Sequence, residues 1–263
     1  MISDEATVVA GENPLEIPTR TWDDREVDCL RCPLRALGAK VQCKLGAACV
    51  EDRYARRIDR FFWKNPTLAE RYLDHPYFEL RAVAAKYAPL NRLPWLIRDP
   101  DETVRAVLAM RLPLNTLLRL RRDPDREVRI RVASRLDGED LREMVEDPDY
   151  YVRLVVAKNL PQGLLCLMIH DADPEVRRVV ARRIHPGELP LFSQDPDPTV
   201  RLEAIRRMGE RHLTRFLHDP DWRIRYEVVT RLPVAEIRAL TDDPDELVRS
   251  TVLDRLNPPA RSG

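Results

Sequence analysis

Residues 99–122 read DPDETVRAVLAMRLPLNTLLRLRR, and this 24-residue stretch decides the fold because the chain repeats it without insertion or deletion. The Val104-Arg105 pair returns every 24 residues, with Leu or Ile replacing Val in two copies. The eight pairs begin at Leu80, Val104, Val128, Val152, Val176, Val200, Ile224 and Val248. A fixed period over so many units is typical of a protein that stacks one supersecondary unit on the next.

The first half of each unit has the pattern of an α-helix. Apolar residues follow Val104 at Leu108, Ala109 and Leu112, which lie on one face of a helix. Asp101 stands where a side chain can cap the helix N-terminus, and its equivalents recur through the repeats. Pro113 then predicts the helix end.

The second half of each unit is too short for another full α-helix. After a helix of roughly 12–13 residues and two turns, about six to eight residues remain. Their apolar positions are three apart, as in Leu117 and Leu120, which suits a 3₁₀ helix. The sequence therefore predicts an all-α solenoid of alternating α and 3₁₀ helices in about eight repeats. Residues 75–263 form this predicted solenoid, and residues 53–74 form a divergent cap or linker before it.

Two rows of arginines follow the repeat, and both have a structural interpretation. The arginine of each VR pair mostly follows an Asp by four residues, as in Asp101 and Arg105, which is the favourable helical order for an ion pair. In the first copy Tyr77 takes the place of that Asp, so Arg81 is expected to lack the partner. We therefore favour pairing over a stripe that binds nucleic acid or an acidic partner. The second row is expected to complement helix C-termini; it comprises Arg111, Arg135, Arg183, Arg207, Arg231 and Arg255.

The overall composition narrows the function. The 44 Lys and Arg residues balance the 44 Asp and Glu residues, which argues against a nucleic-acid-coating or membrane-surface protein. No apolar run approaches the roughly 18 residues of a membrane span. The start, MISDEATVVAGENP, lacks the basic-then-apolar order of a signal peptide. These features predict a cytoplasmic protein that is not in a membrane.

Four of the five cysteines form one motif, Cys29-x2-Cys32-x10-Cys43-x5-Cys49. Four thiolates suit either a zinc ion or a 4Fe–4S cluster. Structural zinc usually uses two Cys-x-x-Cys pairs and only the first pair fits, so the uneven spacing favours the cluster. Zinc and a metal-free segment remain as alternatives. Cys166 lies between apolar residues of a repeat, which predicts a buried structural cysteine.

The charge around this motif is strongly positive. Residues 29–64 carry nine Lys and Arg against three acidic residues, a net charge of +6, whereas residues 1–28 carry −6. Basic surroundings stabilise an anionic thiolate cluster, although the same charge could instead form a docking face. We expect Gly38, Ala39, Gly46, Ala47 and Ala48 to let backbone N–H groups approach the sulfurs. Residues 1–52 are therefore predicted to be a small iron–sulfur domain.

The repeat DPD-xx-VR-xx-VA-x-RL followed by L-xx-L, together with the N-terminal cysteines, resembles the leucine-rich repeat variant iron–sulfur proteins. The resemblance covers residues 75–256 and the segment from Cys29 to Cys49. It implies a right-handed superhelix of α and 3₁₀ helices, and a 4Fe–4S cluster bound by Cys29, Cys32, Cys43 and Cys49. It implies no established biological role.

The sequence favours a non-enzymatic function, because no catalytic constellation stands out in the repeats. We expect a protein-interaction scaffold whose cluster senses redox state or oxygen, or braces the fold. One alternative is an electron-transfer protein or a component of a redox enzyme. Another is a zinc-stabilised nucleic-acid binder related to HEAT repeats, which the 24-residue unit disfavours because HEAT units need about 40 residues.

Overall fold

The computed structural model describes residues 17–257, so both ends of the predicted domains 1–52 and 75–263 lie partly outside it. The chain divides into two compact units, one ending at Leu120 and the other beginning at Arg121. Within residues 17–257 there is no β-strand, and only two isolated bridges, Arg20 to Glu26 and Lys44 to Ala48, pair extended backbone. No helix in this range is long and apolar enough to cross a membrane.

The first unit contains four α-helices, joined mostly by 3₁₀ helices. Helices α1 and α2 pack together, as do α2 and α3, so each helix buries its apolar face against the next. The α-helices are Ala55–Lys64 (α1), Phe78–Tyr87 (α2), Glu102–Arg111 (α3) and Leu114–Leu117 (α4). The 3₁₀ helices are Pro33–Lys40, Pro66–Tyr72, Leu90–Arg92, Pro94–Arg98 and Leu118–Leu120. The residues predicted to form a cap or linker thus contain one α and one 3₁₀ helix of their own.

The second unit continues the alternation with eight α-helices. These are Arg126–Arg135 (α5), Gly138–Arg142 (α6), Tyr150–Asn159 (α7), Pro174–Arg183 (α8), Pro198–Arg207 (α9), Trp222–Arg231 (α10), Val234–Ile237 (α11) and Glu246–Leu256 (α12). The 3₁₀ helices are Gln162–Met168, Pro186–Phe192, Glu210–His212, Thr214–Phe216 and Arg238–Leu240. The long helices α5, α7, α8, α9, α10 and α12 pack in series.

The helix lengths differ slightly from the prediction. The long helix of most repeats has ten residues rather than 12–13, because the apolar residue after its last turn already has extended backbone, as at Leu112 and Leu232. The return segment is mostly 3₁₀ as predicted, but α4, α6 and α11 form a short α-helical turn there. The alternation of a long α-helix with a short return is otherwise regular.

The predicted helix caps are confirmed. In each of the seven copies, the side chain of the second Asp accepts a hydrogen bond from a backbone N–H of the first helical turn. Asp101, for example, accepts from Thr103 N at 2.9 Å. Pro174 and Pro198 occupy the first helical position, where a missing N–H has no consequence.

The predicted i, i+4 pairing of the first arginine row is wrong. Because the second Asp is engaged as a cap, the arginine instead pairs with the first Asp of the next repeat, 18 residues later. Arg201 shows the geometry, with Nε 2.8 Å and Nη2 2.7 Å from the two carboxylate oxygens of Asp219, while its Nη1 donates to the carbonyl of Asp195. Arg81, expected to lack a partner, makes the same pair with Asp99.

The second arginine row also acts between repeats. Arg207 donates to the carbonyls of Ala181 and Ile184, which end helix α8 of the preceding repeat. Arg111 does the same at Ala85 and Ala88 within the first unit. The arginines therefore do satisfy helix C-termini as predicted, but the helix served belongs to the neighbouring repeat. Both rows are consumed by the scaffold.

Candidate metal centre

All four cysteines of the motif line one cavity of about 280 Å³ in the first unit. Its wall is mostly apolar, with Phe61 of helix α1 and Leu34 among the contributing residues, and only two charged side chains reach it, those of Arg35 and Glu51. Cys49 is buried and Cys32 is half-buried, whereas Cys29 and Cys43 are exposed. The cavity thus has a dry inner side and an open rim.

A tight turn presents the first two cysteines. The Asp28 side chain accepts from Leu30 N at 2.8 Å, and the Asp28 carbonyl accepts from Arg31 N at 3.2 Å, so the backbone turns directly after Cys29. Pro33 then starts a 3₁₀ helix whose first turn is closed by the hydrogen bond from Arg35 N to the Cys32 carbonyl, at 3.0 Å. The Cys-x-x-Cys-Pro sequence therefore places Cys32 at a helix N-terminus.

A hairpin-like turn brings the other two cysteines side by side. Lys44 and Ala48 exchange two backbone hydrogen bonds of 2.8 Å, so the neighbouring residues Cys43 and Cys49 lie on adjacent strands of the turn. Gly46 closes the turn with a φ of +73°, a conformation that side chains rarely adopt. The five-residue spacing that fits a single zinc ion poorly is therefore the length of this turn.

Asn65, just beyond the end of helix α1, fixes the segment before Cys43. Its side-chain amide donates to the Gln42 carbonyl and accepts from the Gln42 N–H, both at 2.9 Å. The same amide donates to the Phe61 carbonyl at 2.8 Å, and the residue is only 6% exposed. Because Gln42 directly precedes Cys43, the buried amide couples that cysteine to helix α1.

A buried ion pair supports Cys49 from behind. The Arg57 guanidinium lies 2.9 Å from the Asp52 carboxylate, and Asp52 is almost inaccessible to solvent. The Cys49 N–H donates to the Arg57 carbonyl at 3.2 Å. The pair fixes the chain that follows Cys49 onto helix α1, since Asp52 also accepts from the N–H of Tyr54.

Burial raises the pKa of two of the thiols. The pKa of Cys49 rises to about 11 because desolvation outweighs the hydrogen bonds that its sulfur receives from the N–H groups of Glu51 and Asp52. Desolvation also raises the pKa of Cys32, against hydrogen bonds from the N–H groups of Leu34 and Arg35. Without a metal both side chains are neutral thiols, so binding a cation there releases protons.

The cysteines influence one another electrostatically. The charge of Cys43 contributes to raising the pKa of Cys32, and that of Cys32 contributes to raising the pKa of Cys49. Their charges, with that of Glu51, also add to the burial that raises the pKa of Tyr72. Burial raises the pKa of Glu51 itself. The sulfurs therefore share one poorly solvated region.

The donor set fits an iron–sulfur cluster. Among residues 17–257, no three His, Cys, Asp or Glu side chains come close enough to hold one ion together. Four thiols spread around a cavity instead match a group in which each iron takes its own thiolate. Backbone N–H groups directed at sulfur are a recognised means of tuning such clusters.

Sequence reasoning found the cysteines but not their supports. The N–H donors to sulfur come from Leu34, Arg35, Glu51 and Asp52, none of which is among the small residues predicted for this role. A positional rule could have found them, since each lies two or three residues after a cysteine. Nothing in the sequence pattern indicates Asn65.

Cys166 is not buried as predicted. It is exposed, and its thiol makes only a weak contact, of 3.8 Å, to the carbonyl of Gly163. The buried residues of that 3₁₀ helix are Leu165 and Met168, three apart, so the intervening Cys166 faces outward.

Comparisons with known proteins agree with this architecture. The sequence profile of the family described as LRV protein FeS4 cluster matches residues 19–71, which include all four cysteines. A solved structure described as a leucine-rich repeat variant with a novel repetitive protein structural motif is 43% identical, covers 87% of this chain and 98% of its own, and superposes with a TM-score of 0.81. The predicted fold class, an all-α solenoid of α and 3₁₀ helices behind an iron–sulfur domain, is thereby confirmed.

A curated relative from Rhodobacter capsulatus gives less information about function. It is described as an uncharacterized 27.7 kDa protein in the nifB 3′ region. The two sequences are 44% identical over 94 residues, and the match spans 36% of this chain and 36% of the relative.

Proposed function

This chain belongs to the leucine-rich repeat variant family and carries that family's iron–sulfur domain, and we propose that it is a non-enzymatic interaction scaffold with a 4Fe–4S cluster. Cys29, Cys32, Cys43 and Cys49 would hold the cluster. The observation that carries the proposal is the single cavity onto which all four thiols open.

The residues of the cavity have separate tasks in this proposal. The bound cluster would supply one-electron chemistry or a covalent brace between the two cysteine turns. The backbone N–H groups after Cys32 and Cys49 donate to the sulfurs and lower their basicity. The guanidinium of Arg35 offsets thiolate charge, and Phe61 keeps water from the inner wall.

The scaffold role is supported by what the repeats do with their polar groups. The conserved-looking period directs arginines to neighbouring repeats, where they pair with Asp or with carbonyls, and each repeat thereby depends on the next. This leaves the variable outward positions of the helices for a partner. We expect that partner to be a protein.

Metal analysis of anaerobically purified chain tests the cluster. We expect about four iron and four acid-labile sulfide per chain, and loss of both in a Cys43→Ser variant. Cys166→Ser is the matched control, because this exposed thiol lies outside the cavity and its loss should leave iron unchanged. Colourless protein containing one zinc would contradict the proposal.

Association tests the scaffold role. Native extract passed over immobilised full-length chain, with and without cluster, should yield the same enriched proteins in both cases if the repeats bind them. Enrichment only with the cluster would make the N-terminal domain the binding element. No enrichment in either case would contradict the scaffold role.

Electron transfer is a second candidate, favoured by the exposure of Cys29 and Cys43. A cluster on these ligands would have one edge at the surface, where a docked protein could exchange electrons with it. Voltammetry distinguishes the roles: a reversible couple favours electron transfer, whereas irreversible loss of the cluster in air favours oxygen sensing.

A further inference from the structure

Helix α1 presents two unlike faces. One face is buried and contains Ile58, Phe61 and Phe62, of which Phe61 lines the cysteine cavity. The other face is open to solvent and consists of Arg56, Arg60, Trp63 and Lys64, which we call the α1 outer face. These four residues follow one another at helical spacing, so they lie on one side of the helix.

The cations of the α1 outer face are not neutralised by the described part of the chain. Within residues 17–257, no carboxylate lies within ion-pair distance of Arg56, Arg60 or Lys64. The one acidic residue of the helix, Asp59, is already engaged by Lys86 at 2.7 Å and by the Tyr87 hydroxyl at 3.0 Å. This differs from the arginine rows of the repeats, which are paired inside the scaffold.

The tryptophan of this face is unusually open. Trp63 is 71% exposed although it is large and apolar, while its neighbours Phe61 and Phe62 are fully buried. Tryptophan and arginine are the residue types most enriched among those that dominate protein–protein binding energy. An exposed tryptophan between cations therefore has the composition of a binding centre rather than of a solvated helix face.

We infer that the α1 outer face docks an acidic protein surface, with carboxylates around an apolar contact for Trp63. Nucleic acid fits less well, because the chain as a whole carries no net charge and the face offers only three free cations. The inference rests on the proposed scaffold role and names the chemistry of its partner. Such a partner would sit about one helix diameter, roughly 10 Å, from the cavity that Phe61 lines.

The test uses cluster-loaded full-length chain and a defined probe. The probe is a fluorescent amphipathic helical peptide with three Glu residues around one Leu, compared with its Glu→Gln counterpart and with a 16-base-pair DNA duplex. We expect the acidic peptide to bind, the neutral one to bind at least about tenfold more weakly, and added salt to weaken the complex.

Two variants of the face and one control locate the binding. Arg56→Glu with Arg60→Glu, and separately Trp63→Ala, should each weaken peptide binding about tenfold or more. Arg215→Glu with Arg238→Glu makes the same charge change at exposed positions of the second unit and should alter binding less than about twofold. Circular dichroism and iron content should be unchanged in all variants.

Several results would overturn the inference. These are equal binding of the neutral peptide, tighter binding of DNA, or insensitivity to both variants of the face. Dimerisation of the chain that Trp63→Ala abolishes would also overturn it, by assigning the face to a second copy. A face that fails while iron and sulfide remain loaded leaves the proposed cluster intact, so the two failures are distinguishable.

Discussion

Replacing Arg225 by alanine should destabilise the second unit much more than removal of a surface ion pair would. The Arg225 guanidinium lies 2.7 and 2.8 Å from the two carboxylate oxygens of Asp243, and the two side chains are only 9% and 1% exposed. Arg225 also donates to the carbonyl of Asp219 at 2.7 Å. The substitution thus leaves a buried carboxylate and a buried carbonyl without their donor.

The expected loss is about 3–5 kcal/mol of unfolding free energy, the usual effect of breaking a buried pair from one side. Arg182→Ala is the control, because Arg182 makes a similar two-bond pair with Glu203 but is 58% exposed, and it should cost far less. Urea unfolding of both variants, followed by circular dichroism, measures the difference.

The same pair predicts a pH dependence. Burial alone would raise the pKa of Asp243, but the hydrogen bonds from Arg225 and the Asp245 N–H, with the charges of Arg225 and Arg249, hold it below its ordinary value. A carboxyl whose pKa is lowered by folding stabilises the fold above its unfolded pKa, about 3.9, and loses that contribution as the pH falls through the folded value. Arg225→Ala should therefore flatten the loss of stability below about pH 4. A cost below about 1 kcal/mol, or an unchanged acid transition, would refute the interpretation of the row as a buried ladder.

Three further substitutions test other parts of the account. Asn65→Ala should lower stability by about 2 kcal/mol or more and slow cluster assembly, because Gln42 loses both backbone partners; calorimetry and the rate of iron uptake measure the two effects, and normal uptake would contradict the positioning role. Gly46→Ala should cost about 1–2 kcal/mol for its positive φ, while Gly163→Ala, where the added carbon meets open space, should not; equal melting temperatures would contradict this. Asp173→Ala removes a helix cap and should cost about 1 kcal/mol by urea unfolding, and no change would mean that the cap is replaced.

The repeat fold could be predicted because its determinants are local. Helix caps such as Asp101 and the spacing of Leu117 and Leu120 act within one unit, so the period reveals them. The arginine partners could not be predicted in the same way. Two Asp residues precede each helix, and only the stacking of repeats decides that one caps while the other receives the arginine from 18 residues earlier.

The cysteine site was predictable to a similar degree. The four ligand candidates follow from residue type and spacing, and the structure brings them to one cavity. Asn65 could not be found, because its contact to Gln42 spans 23 residues and follows no pattern. Cys166 was misjudged since apolar neighbours in sequence suggest burial, whereas a 3₁₀ helix turns the residue after Leu165 to the surface.

Native mass spectrometry of the anaerobic full-length chain tests the central claim most directly, because it weighs the bound group intact. The account predicts a mass increment of one 4Fe–4S unit with four thiol protons lost, abolished by Cys43→Ser and unaffected by Cys166→Ser. An increment of a single zinc ion, or a 4Fe–4S increment that survives Cys43→Ser, would contradict the assignment of the cluster to Cys29, Cys32, Cys43 and Cys49.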